Sequence, residues 1–331
     1  MNNYFYKRAV AIIAVLLATA LCFCSCSGSA ESAEKIIDDE SSEPTEEFSV
    51  SFIDVGEGDA VYISLPDGKN VLIDCGENDK EGKNFAKIKA VLRERKVKNI
   101  DCFILTHTDS DHVGNAVNVA ENYSVKKVFI PEVVDETLFP AFRRAVAALK
   151  NRGAETEISD MYDEIRGDGY FMLFLSPQPS DFFYSFYDEL NLSSAPSAEE
   201  INNVSPLIYF ECLGTRFLFT GDAEQEPQKF VLENARLGLY GENVRLEEID
   251  FFKVPHHGAS DAVYKEFLTY INCKNAVISV GGDKVYAHPS DYALYALEEC
   301  CENYNLYRTD TCGTVSVSGY KNGYRVFTEA D

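Results

Sequence analysis

All five histidines of this chain lie in three short motifs. Two are in residues 107–112, two are in residues 255–258, and His288 stands directly before a proline. No histidine remains for ordinary surface or core positions among the 331 residues. Because imidazole is a common metal ligand, this placement predicts a metal site, and the chain has to fold so that the motifs meet.

The first motif is a dense set of ligand side chains after an apolar, strand-like run at residues 100–105. Alternate residues of an extended loop point the same way, so His107, Asp109 and Asp111 can converge. His112 follows where a helix is expected to begin. Two imidazoles and two carboxylates so close together favour a bound cation. We therefore predict that all four are metal ligands and that Asp111 also takes part in catalysis.

Two further candidate ligand sets also follow strand-like runs. Asp222 comes after the run at residues 216–220, and a carboxylate at a strand end can bridge two ions that activate one water for hydrolysis. His256 and His257 follow the run at residues 250–254. Neighbouring histidines cannot easily bind one ion in the same way, so one is expected to be a ligand and the other to support it or donate a proton. The sequence leaves open which is which.

Hydrophobic periodicity predicts that strands and helices alternate along the body, whose length suits one large domain or two small ones. Predicted strands lie at residues 48–53, 60–65, 70–73, 100–105, 125–130, 170–175, 207–212, 216–220, 250–254 and 276–280, with two more at the C-terminus. Predicted helices lie at residues 84–95, 112–122, 138–151, 223–234, 261–271 and 290–302. The polar, irregular residues 176–204 are expected to form a loop over the site.

The N-terminus is typical of bacterial export. Lys7 and Arg8 precede an apolar run at residues 9–23, which is short for a spanning helix and suits a signal peptide. Residues 23–28 resemble a lipobox, so residues 1–26 are predicted to be a signal peptide with Cys26 as the lipidated residue. An uncleaved membrane anchor is the alternative. The protein is then exported, either lipid-anchored at the outer face of the cytoplasmic membrane or secreted.

Composition separates a tether from a folded body and restricts the partners. Residues 27–47 predict an acidic flexible linker, and residues 48–331 one folded domain. The net charge is −24; residues 1–47 carry 3 basic and 8 acidic side chains, which leaves −19 on the body. Such a surface opposes tight nonspecific DNA binding unless metal ions or a local basic patch compensate. It is no obstacle to a small phosphoester, and no protein partner is evident.

Taken in order, the motifs resemble the metallo-β-lactamase superfamily, and within it the hydrolase domain of the ComEC-type DNA-internalisation proteins. The resemblance covers about residues 48–327. It rests on residues 52–60, 72–76, 106–114, 202–205, 221–222, 254–258, 281–289 and 308–310. It implies an αββα sandwich, in which two mixed β-sheets lie face to face with helices outside. It also implies a metal-dependent hydrolase that uses two divalent ions.

The motifs depart from the superfamily pattern at two positions. Asp109 stands where the second histidine of the metal-binding loop is usual, and no histidine lies between His112 and His256. One metal position is therefore poorer in nitrogen, whereas Asp111, His112, Asp222 and one of the paired histidines can build the other. Oxygen ligands favour Mn²⁺ or Mg²⁺ over Zn²⁺ at the poorer position. The expected ions are therefore Zn²⁺ or Mn²⁺, with Mg²⁺ possible.

Further residues are expected to act around the metals. Asp74 is expected to orient the metal-binding loop rather than to bind metal. His288 is expected to act in catalysis as a general acid or as a substrate contact, against the alternative of a structural histidine before Pro289. Expected substrate contacts, for which turn carboxylates are the alternative at the first two, are Asp54, Asp59, Asn203 and Ser260.

The favoured function is a phosphodiesterase or nuclease that acts on DNA or another phosphodiester outside the membrane. The first alternative keeps the chemistry but takes a small substrate, such as a nucleotide, a lactone or an amide. The second is a non-catalytic lipoprotein that retains the fold. Fold resemblance alone does not decide between them.

Overall fold

The computed structural model describes residues 46–133, 135–177, 196–282, 286–321 and 323–330. The predicted signal peptide, the lipidation site Cys26 and most of the predicted linker lie outside the described residues. Glu47, which the sequence assigned to the linker, donates its backbone N–H to the Gly319 carbonyl at 2.8 Å and so already belongs to the body. In the part of the chain that is described, no helix has the length and hydropathy needed to span a membrane.

The described chain contains fifteen strands in two mixed sheets. In chain order these are β1 (Phe48–Phe52), β2 (Val61–Ser64), β3 (Asn70–Ile73), β4 (Asn99–Ile104), β5 (Ser124–Ile130), β6 (Glu155–Ile158), β7 (Glu164–Gly167), β8 (Tyr170–Phe174), β9 (Ile208–Cys212), β10 (Thr215–Phe219), β11 (Phe251–Lys253), β12 (Asn275–Ile278), β13 (Asn305–Arg308), β14 (Val315–Tyr320) and β15 (Gly323–Thr328). The first sheet has the order β15-β14-β1-β2-β3-β4-β5-β6, and the second has the order β13-β12-β11-β10-β9-β8-β7.

Each sheet has an antiparallel half and a parallel half. In the first sheet β3 to β6 run parallel, and in the second sheet β10 to β13 do so. Parallel strands need crossover connections, and helices make most of them. The carboxyl ends of β4 and of β10 to β12 therefore carry loops that begin new helices or turns, and these loops hold the candidate ligands.

Nine α-helices occur in the described residues, and the longer ones pack on the outer faces of the sheets. They are α1 (Lys83–Glu94), α2 (Ser110–Val113), α3 (Ala116–Asn122), α4 (Pro140–Asn151), α5 (Ala198–Asn202), α6 (Gln225–Arg236), α7 (Lys265–Ile271), α8 (Asp291–Cys300) and α9 (Thr309–Cys312). Short 3₁₀ turns occupy Glu136–Leu138, Leu246–Glu248 and His256–Gly258.

Three apolar clusters hold the layers together. One lies between the sheets and is rich in phenylalanine; the Phe217 and Phe251 rings stack there with centroids 4.9 Å apart. The second joins the first sheet to α1, α3 and α4, and the third joins the other sheet to α6, α7 and α8. Each fully buried phenylalanine contributes about 1.5–3 kcal/mol through removal from water. The predicted αββα sandwich is confirmed.

The predicted helix at residues 112–122 is wrong in one respect, because it is two helices, α2 and α3. A Cβ at Gly114 would lie 2.5 Å from the Asn78 backbone nitrogen, so the chain packs closely there. The Asn115 side-chain amide donates to the carbonyls of Cys75 and Glu77 at 3.0 and 2.8 Å. These contacts fix the break between α2 and α3 and hold the metal-binding loop against the first sheet.

Two other predicted helices begin later than expected, because tertiary hydrogen bonds hold their first residues. Gln228 donates to the Ala262 carbonyl at 2.5 Å and accepts from the Tyr264 backbone N–H at 3.3 Å, so α7 begins at Lys265. The Glu224 backbone N–H donates to Asn203 Oδ1 at 2.9 Å, and α6 begins one residue later.

The irregular segment and the sheet edges also differ from the prediction. Residues 178–195 lie outside the described residues, but α5 follows within the predicted loop, with a capping box between Ser197 and Glu200. The sequence analysis missed the short strands β6, β7 and β13. The first two are short strands with mostly exposed or half-buried, largely charged residues, so they lack an apolar pattern.

Candidate metal centre

Four predicted ligands meet beyond the carboxyl ends of β4, β10 and β11. The nearest ligand atoms of Asp111, His112, Asp222 and His257 all lie within 4.8 Å of one another. Asp222 Oδ2 is 3.3 Å from His112 Nε2 and 3.4 Å from His257 Nε2, and Asp111 Oδ2 is 3.2 Å from His257 Nε2. Two imidazole nitrogens and two carboxylates around one point form a suitable donor set for a divalent cation.

The first half of this group comes from α2, directly after β4. The Asp111 carbonyl accepts the Asp59 backbone N–H at 3.2 Å, and the His112 carbonyl accepts that of Cys75 at 2.8 Å. A Cβ at Gly58 would lie 2.2 Å from the Asp111 carbonyl oxygen, so only glycine allows this approach. The β1–β2 loop and the end of β3 thereby fix the backbone of both ligands.

The second half comes from the ends of β10 and β11. His257 has a φ of 53° and His256 a φ of 47°, both in the left-handed region that non-glycine residues rarely adopt. His257 Nδ1 donates to the Ser279 carbonyl at 2.9 Å, so Nε2 is the nitrogen that faces the carboxylates. Such backbone strain is typical of functional sites, where the surrounding fold holds it in place.

Unpartnered buried atoms test whether the group fits a metal ion. His112 Nε2, His107 Nε2 and Asp222 Oδ1 are buried and make no hydrogen bond in the described residues. Buried polar atoms nearly always have a partner, and a bound cation would supply one. The donor set, its burial and these atoms all fit a divalent ion.

Charge interactions among the ligands also favour a bound cation. Burial opposes ionisation of Asp222, but His112 and His257 outweigh it and hold the pKa of its carboxyl well below the usual range. Burial likewise opposes protonation of His257, yet Asp222 and Asp111 raise its pKa to about 10. Without metal, protons bound to the histidines therefore supply the positive charge beside these carboxylates. A metal ion would replace those protons when it binds.

A buried carboxylate orients His112 from behind. Asp74 Oδ2 accepts from His112 Nδ1 at 2.8 Å and from Thr106 Oγ1 at 2.6 Å, and its Oδ1 accepts the Thr106 backbone N–H at 2.9 Å. Asp74 is fully buried, and burial raises the pKa of its carboxyl. A carboxylate that fixes the far nitrogen of a ligating histidine sets its tautomer and ring orientation.

A buried ion pair supports the other side of the group. Lys253 is 1% exposed and Asp59 3% exposed, and Lys253 Nζ lies 2.6 Å from Asp59 Oδ2. The same ammonium donates to the Gly221 carbonyl at 3.2 Å, next to the ligand Asp222. The sequence analysis missed Lys253. Asp59, which was expected to contact substrate, lies behind the ligands rather than on an open face.

Two predicted ligands from the first motif lie beside the group rather than in it. His107 is fully buried; its Nε2 is 3.8 Å from Asp222 Oδ2, and its ring centroid is 3.9 Å from that of His112. Burial, followed by His112, lowers the pKa of His107 to about 3, so it stays neutral. Asp109 is half-buried, and burial and then Asp111 raise the pKa of its carboxyl.

The paired histidines separate into two environments. His257 lies in the four-residue group, whereas His256 Nδ1 faces Glu224 and Asp261 at 3.9 and 3.6 Å. His256, Glu224 and Asp261 form a smaller set of potential ligands on the rim. The geometry therefore distinguishes the two histidines that the sequence could not.

His288 lies on the same rim and is held by Glu57, which the sequence analysis missed. Glu57 Oε1 is 2.7 Å from His288 Nδ1, and Glu57 Oε2 accepts the Gly281 backbone N–H at 2.8 Å. The His288 ring centroid is 6.1 Å from that of His257. Glu57 stands between Gly56 and Gly58 in the opening motif, which was the available signal.

The remaining expected substrate contacts lie apart from the ligand group. Asp54 accepts the Gly56 backbone N–H at 3.1 Å and pairs with Lys87, as a turn carboxylate does. Asn203 Oδ1 accepts the Glu224 backbone N–H, and Ser260 is exposed. Contact of these residues with a substrate stays a prediction.

With the fold and site described, comparison with known proteins gives the family. The model of the metallo-β-lactamase superfamily matches residues 53–282. The chain belongs to the metallo-β-lactamase superfamily. Members of this superfamily are mostly metal-dependent hydrolases that bind divalent ions.

Two sequence relatives support the assignment. ComE operon protein 3 of Bacillus subtilis (strain 168) is 29% identical over 299 residues, which are 84% of this chain and 34% of that protein. The chain thus spans about a third of that relative's length. A UPF0173 metal-dependent hydrolase of Koribacter versatilis (strain Ellin345) is 45% identical over 40 residues, 12% of this chain and 17% of that protein. The predicted ComEC-like resemblance is confirmed.

A solved structure shows the same fold. The crystal structure of CmlA, a diiron β-hydroxylase from Streptomyces venezuelae, superposes with a TM-score of 0.51 at 12% identity. The match covers 84% of this chain and 55% of that one. This likeness shows the fold alone, because one fold carries several chemistries and the residues of the site decide between them.

Proposed function

We propose that this protein is a metal-dependent phosphodiesterase that hydrolyses DNA or another phosphodiester outside the membrane. The observation that carries the proposal is the four-residue ligand group together with a histidine–carboxylate pair on its rim. The first supplies a place for a divalent ion, and the second supplies a positioned proton donor. A non-catalytic role would need neither arrangement.

The ligand group and the Glu57–His288 pair have different roles in the proposed hydrolysis. Asp111, His112, Asp222 and His257 would hold a divalent ion, which when bound would supply Lewis-acid chemistry: it would make water more acidic and offset negative charge on phosphate oxygens. Glu57 accepts the proton on His288 Nδ1 in a hydrogen bond, which leaves Nε2 to act at the substrate. As water adds to phosphorus and loses a proton to solvent, the P–O bond to the leaving group breaks and His288 donates a proton to the leaving oxygen.

DNA is the first substrate to test because the motifs resemble the ComEC-type domain, and ComE operon protein 3 is a relative. The identity of the ions is also a proposal. Asp109 in place of a nitrogen ligand favours Mn²⁺ or Mg²⁺ at the position beside His107, whereas Zn²⁺ or Mn²⁺ suits the four-residue group.

A small substrate is the second candidate, and the charge of the rim favours it. Glu224 and Asp261 face His256, and the body carries a net charge of −19. Carboxylates near the opening repel a long polyanion more strongly than a short ester. A dinucleotide or other small phosphodiester therefore belongs in the same assay as DNA.

The test is hydrolysis by the chain that begins at Ser27. Single-stranded DNA, double-stranded DNA and bis(p-nitrophenyl) phosphate are each incubated with Mn²⁺, Mg²⁺ or Zn²⁺, with Asp111→Ala as the control. We expect metal-dependent cleavage that the control loses. Bound metal without cleavage of any of the three substrates would overturn the phosphodiesterase, and cleavage of the small ester alone would overturn the nuclease.

The proton donor has its own test, based on the leaving group. An alkoxide needs a proton when it departs, whereas p-nitrophenolate does not. His288→Asn is expected to slow alkyl esters by about 10²–10⁴-fold and p-nitrophenyl esters much less. Glu57→Gln should show a weaker form of the same selectivity. Equal losses on both esters would assign His288 to substrate binding instead.

A further inference from the structure

A strongly basic segment interrupts the acidic surface of this protein. Residues 83–98 contain seven Lys or Arg side chains and one acidic side chain, in a chain whose net charge is −24. The segment comprises α1 and the turn that leads into β4. The metal centre uses none of these basic residues.

Four of these cations line one open pocket of about 660 Å³, here called the basic pocket. They are Lys89, Arg93, Lys96 and Lys98, and all four are exposed. Within the described residues none of the four pairs with a carboxylate, although their neighbours Lys83, Lys87 and Arg95 all do. Among the described residues, the positive charge of the pocket is therefore not paired with a carboxylate.

The basic pocket lies at the edge of the first sheet opposite the metal centre. Its residues directly precede β4 and β5, whereas the metal-binding loop follows the carboxyl end of β4. A strand of six residues separates these ends by about 20 Å. A ligand in the pocket is therefore not positioned for hydrolysis by the ligand group.

The chain also enters the body at this edge. β1 runs in the same direction as β3 and β4, because it and β3 are both antiparallel to β2. Glu46, two residues before β1, forms an ion pair with Arg95 of the basic segment. The segment that leads back towards the predicted lipid anchor thus starts beside the basic pocket.

We propose that the basic pocket is a docking surface for an anionic lipid bilayer. Lys and Arg side chains near an anionic surface each add about fivefold to binding, and a basic patch complements a lipid anchor. At physiological ionic strength the Debye length is about 8 Å. A bilayer at the pocket therefore interacts more strongly with the nearby cations than with the acidic groups farther away. Docking by this edge turns the metal centre away from the membrane.

The position favours a bilayer over a nucleic acid. A DNA-binding surface that served catalysis would border the metal centre, but the rim there carries Glu57, Glu224 and Asp261. The pocket instead adjoins the entry point of the predicted tether. Binding of DNA at the pocket is therefore an alternative outcome that the experiment has to detect.

The experiment measures co-sedimentation of the chain that begins at Ser27, which lacks the lipidated cysteine, with phosphatidylcholine vesicles with and without phosphatidylglycerol. The pocket variant carries Lys→Gln or Arg→Gln at positions 89, 93, 96 and 98. The control removes four cations from the helices over the second sheet and the adjoining loop, at Lys229, Arg236, Arg245 and Lys265. Far-UV and near-UV circular dichroism check that both variants remain folded.

We expect binding that requires phosphatidylglycerol, an at least tenfold loss in the pocket variant, and no loss in the control. Binding should peak near 0.1 M salt, because at lower salt the longer Debye length exposes the body's net negative charge. Equal losses in both variants, or no preference for the anionic vesicles, would overturn the proposal. So would a pocket variant that loses only DNA binding. None of these outcomes depends on whether the protein is a phosphodiesterase.

Discussion

Two neighbouring sets of candidate metal ligands differ in how firmly the fold holds their side chains. In the four-residue group, Asp74 fixes His112 and the Ser279 carbonyl fixes His257. Beside it, His107 is oriented by Thr106, but among the described residues the Asp109 side chain accepts no hydrogen bond. Because preorganised ligands bind more tightly, one position is expected to fill first and the other to bind weakly.

The largest expected effect distinguishes the paired histidines. His257→Ala removes a ligand of the prepared position, so we expect loss of bound metal and at least a hundredfold loss of hydrolysis. His256→Ala, its matched control, lies outside the four-residue group and should lower the rate by about tenfold or less. Metal content by mass spectrometry and initial rates give both numbers. Equal metal loss in the two variants would place both histidines at the same ion.

The second prediction tests the support behind the prepared position. Lys253→Met leaves the Asp59 carboxylate buried without its partner, which should destabilise the fold by about 3–5 kcal/mol. Denaturant unfolding of the metal-free protein measures this change. Lys229→Met, which breaks an exposed pair with Glu226, should lower the free energy of unfolding far less. Similar losses of stability in both variants would show that the buried Lys253–Asp59 pair stabilises the fold no more than an exposed pair does.

The third prediction concerns orientation rather than ligation. Asp74→Asn keeps the shape of the side chain but removes the carboxylate that holds His112 Nδ1. We expect metal affinity to fall about 10–100-fold while the fold remains intact. Calorimetric titration with Mn²⁺ checks the affinity, and circular dichroism checks the fold. An unchanged affinity would mean that packing alone orients His112.

The sequence predicted the prepared position well because its signals are local. Asp111 and His112 share one loop, and Asp222 and His257 each follow a strand of apolar residues, so their types and positions indicate ligands. The sequence could not show whether His256 or His257 is the ligand, because this depends on two left-handed backbone conformations in the folded chain. Local patterns carry no information about such strain.

Partners far apart in the chain were missed for the same physical reason. Glu57 and His288 are 231 residues apart, and Asp59 and Lys253 are 194 residues apart. Only the αββα stacking brings these side chains together. The late start of α7 follows likewise from contacts with Gln228 on another helix. The resemblance supplied the architecture, whereas contacts between layers set the details.

The smallest expected effect is a change in metal preference at the weaker position, where a substitution can add a nitrogen ligand. Asp109→His supplies the nitrogen ligand that the superfamily pattern has there, and it removes a carboxylate whose pKa burial and Asp111 already raise. Because Zn²⁺ prefers imidazole more than Mn²⁺ does, Zn²⁺ should gain about tenfold over Mn²⁺ at this position. Asp109→Asn is the control, since it removes the charge without adding a nitrogen ligand. Equilibration with both metals, followed by mass spectrometry, gives the ratio. If the two variants show the same preference, the position beside His107 does not bind the second ion, and the set around His256 becomes the remaining candidate.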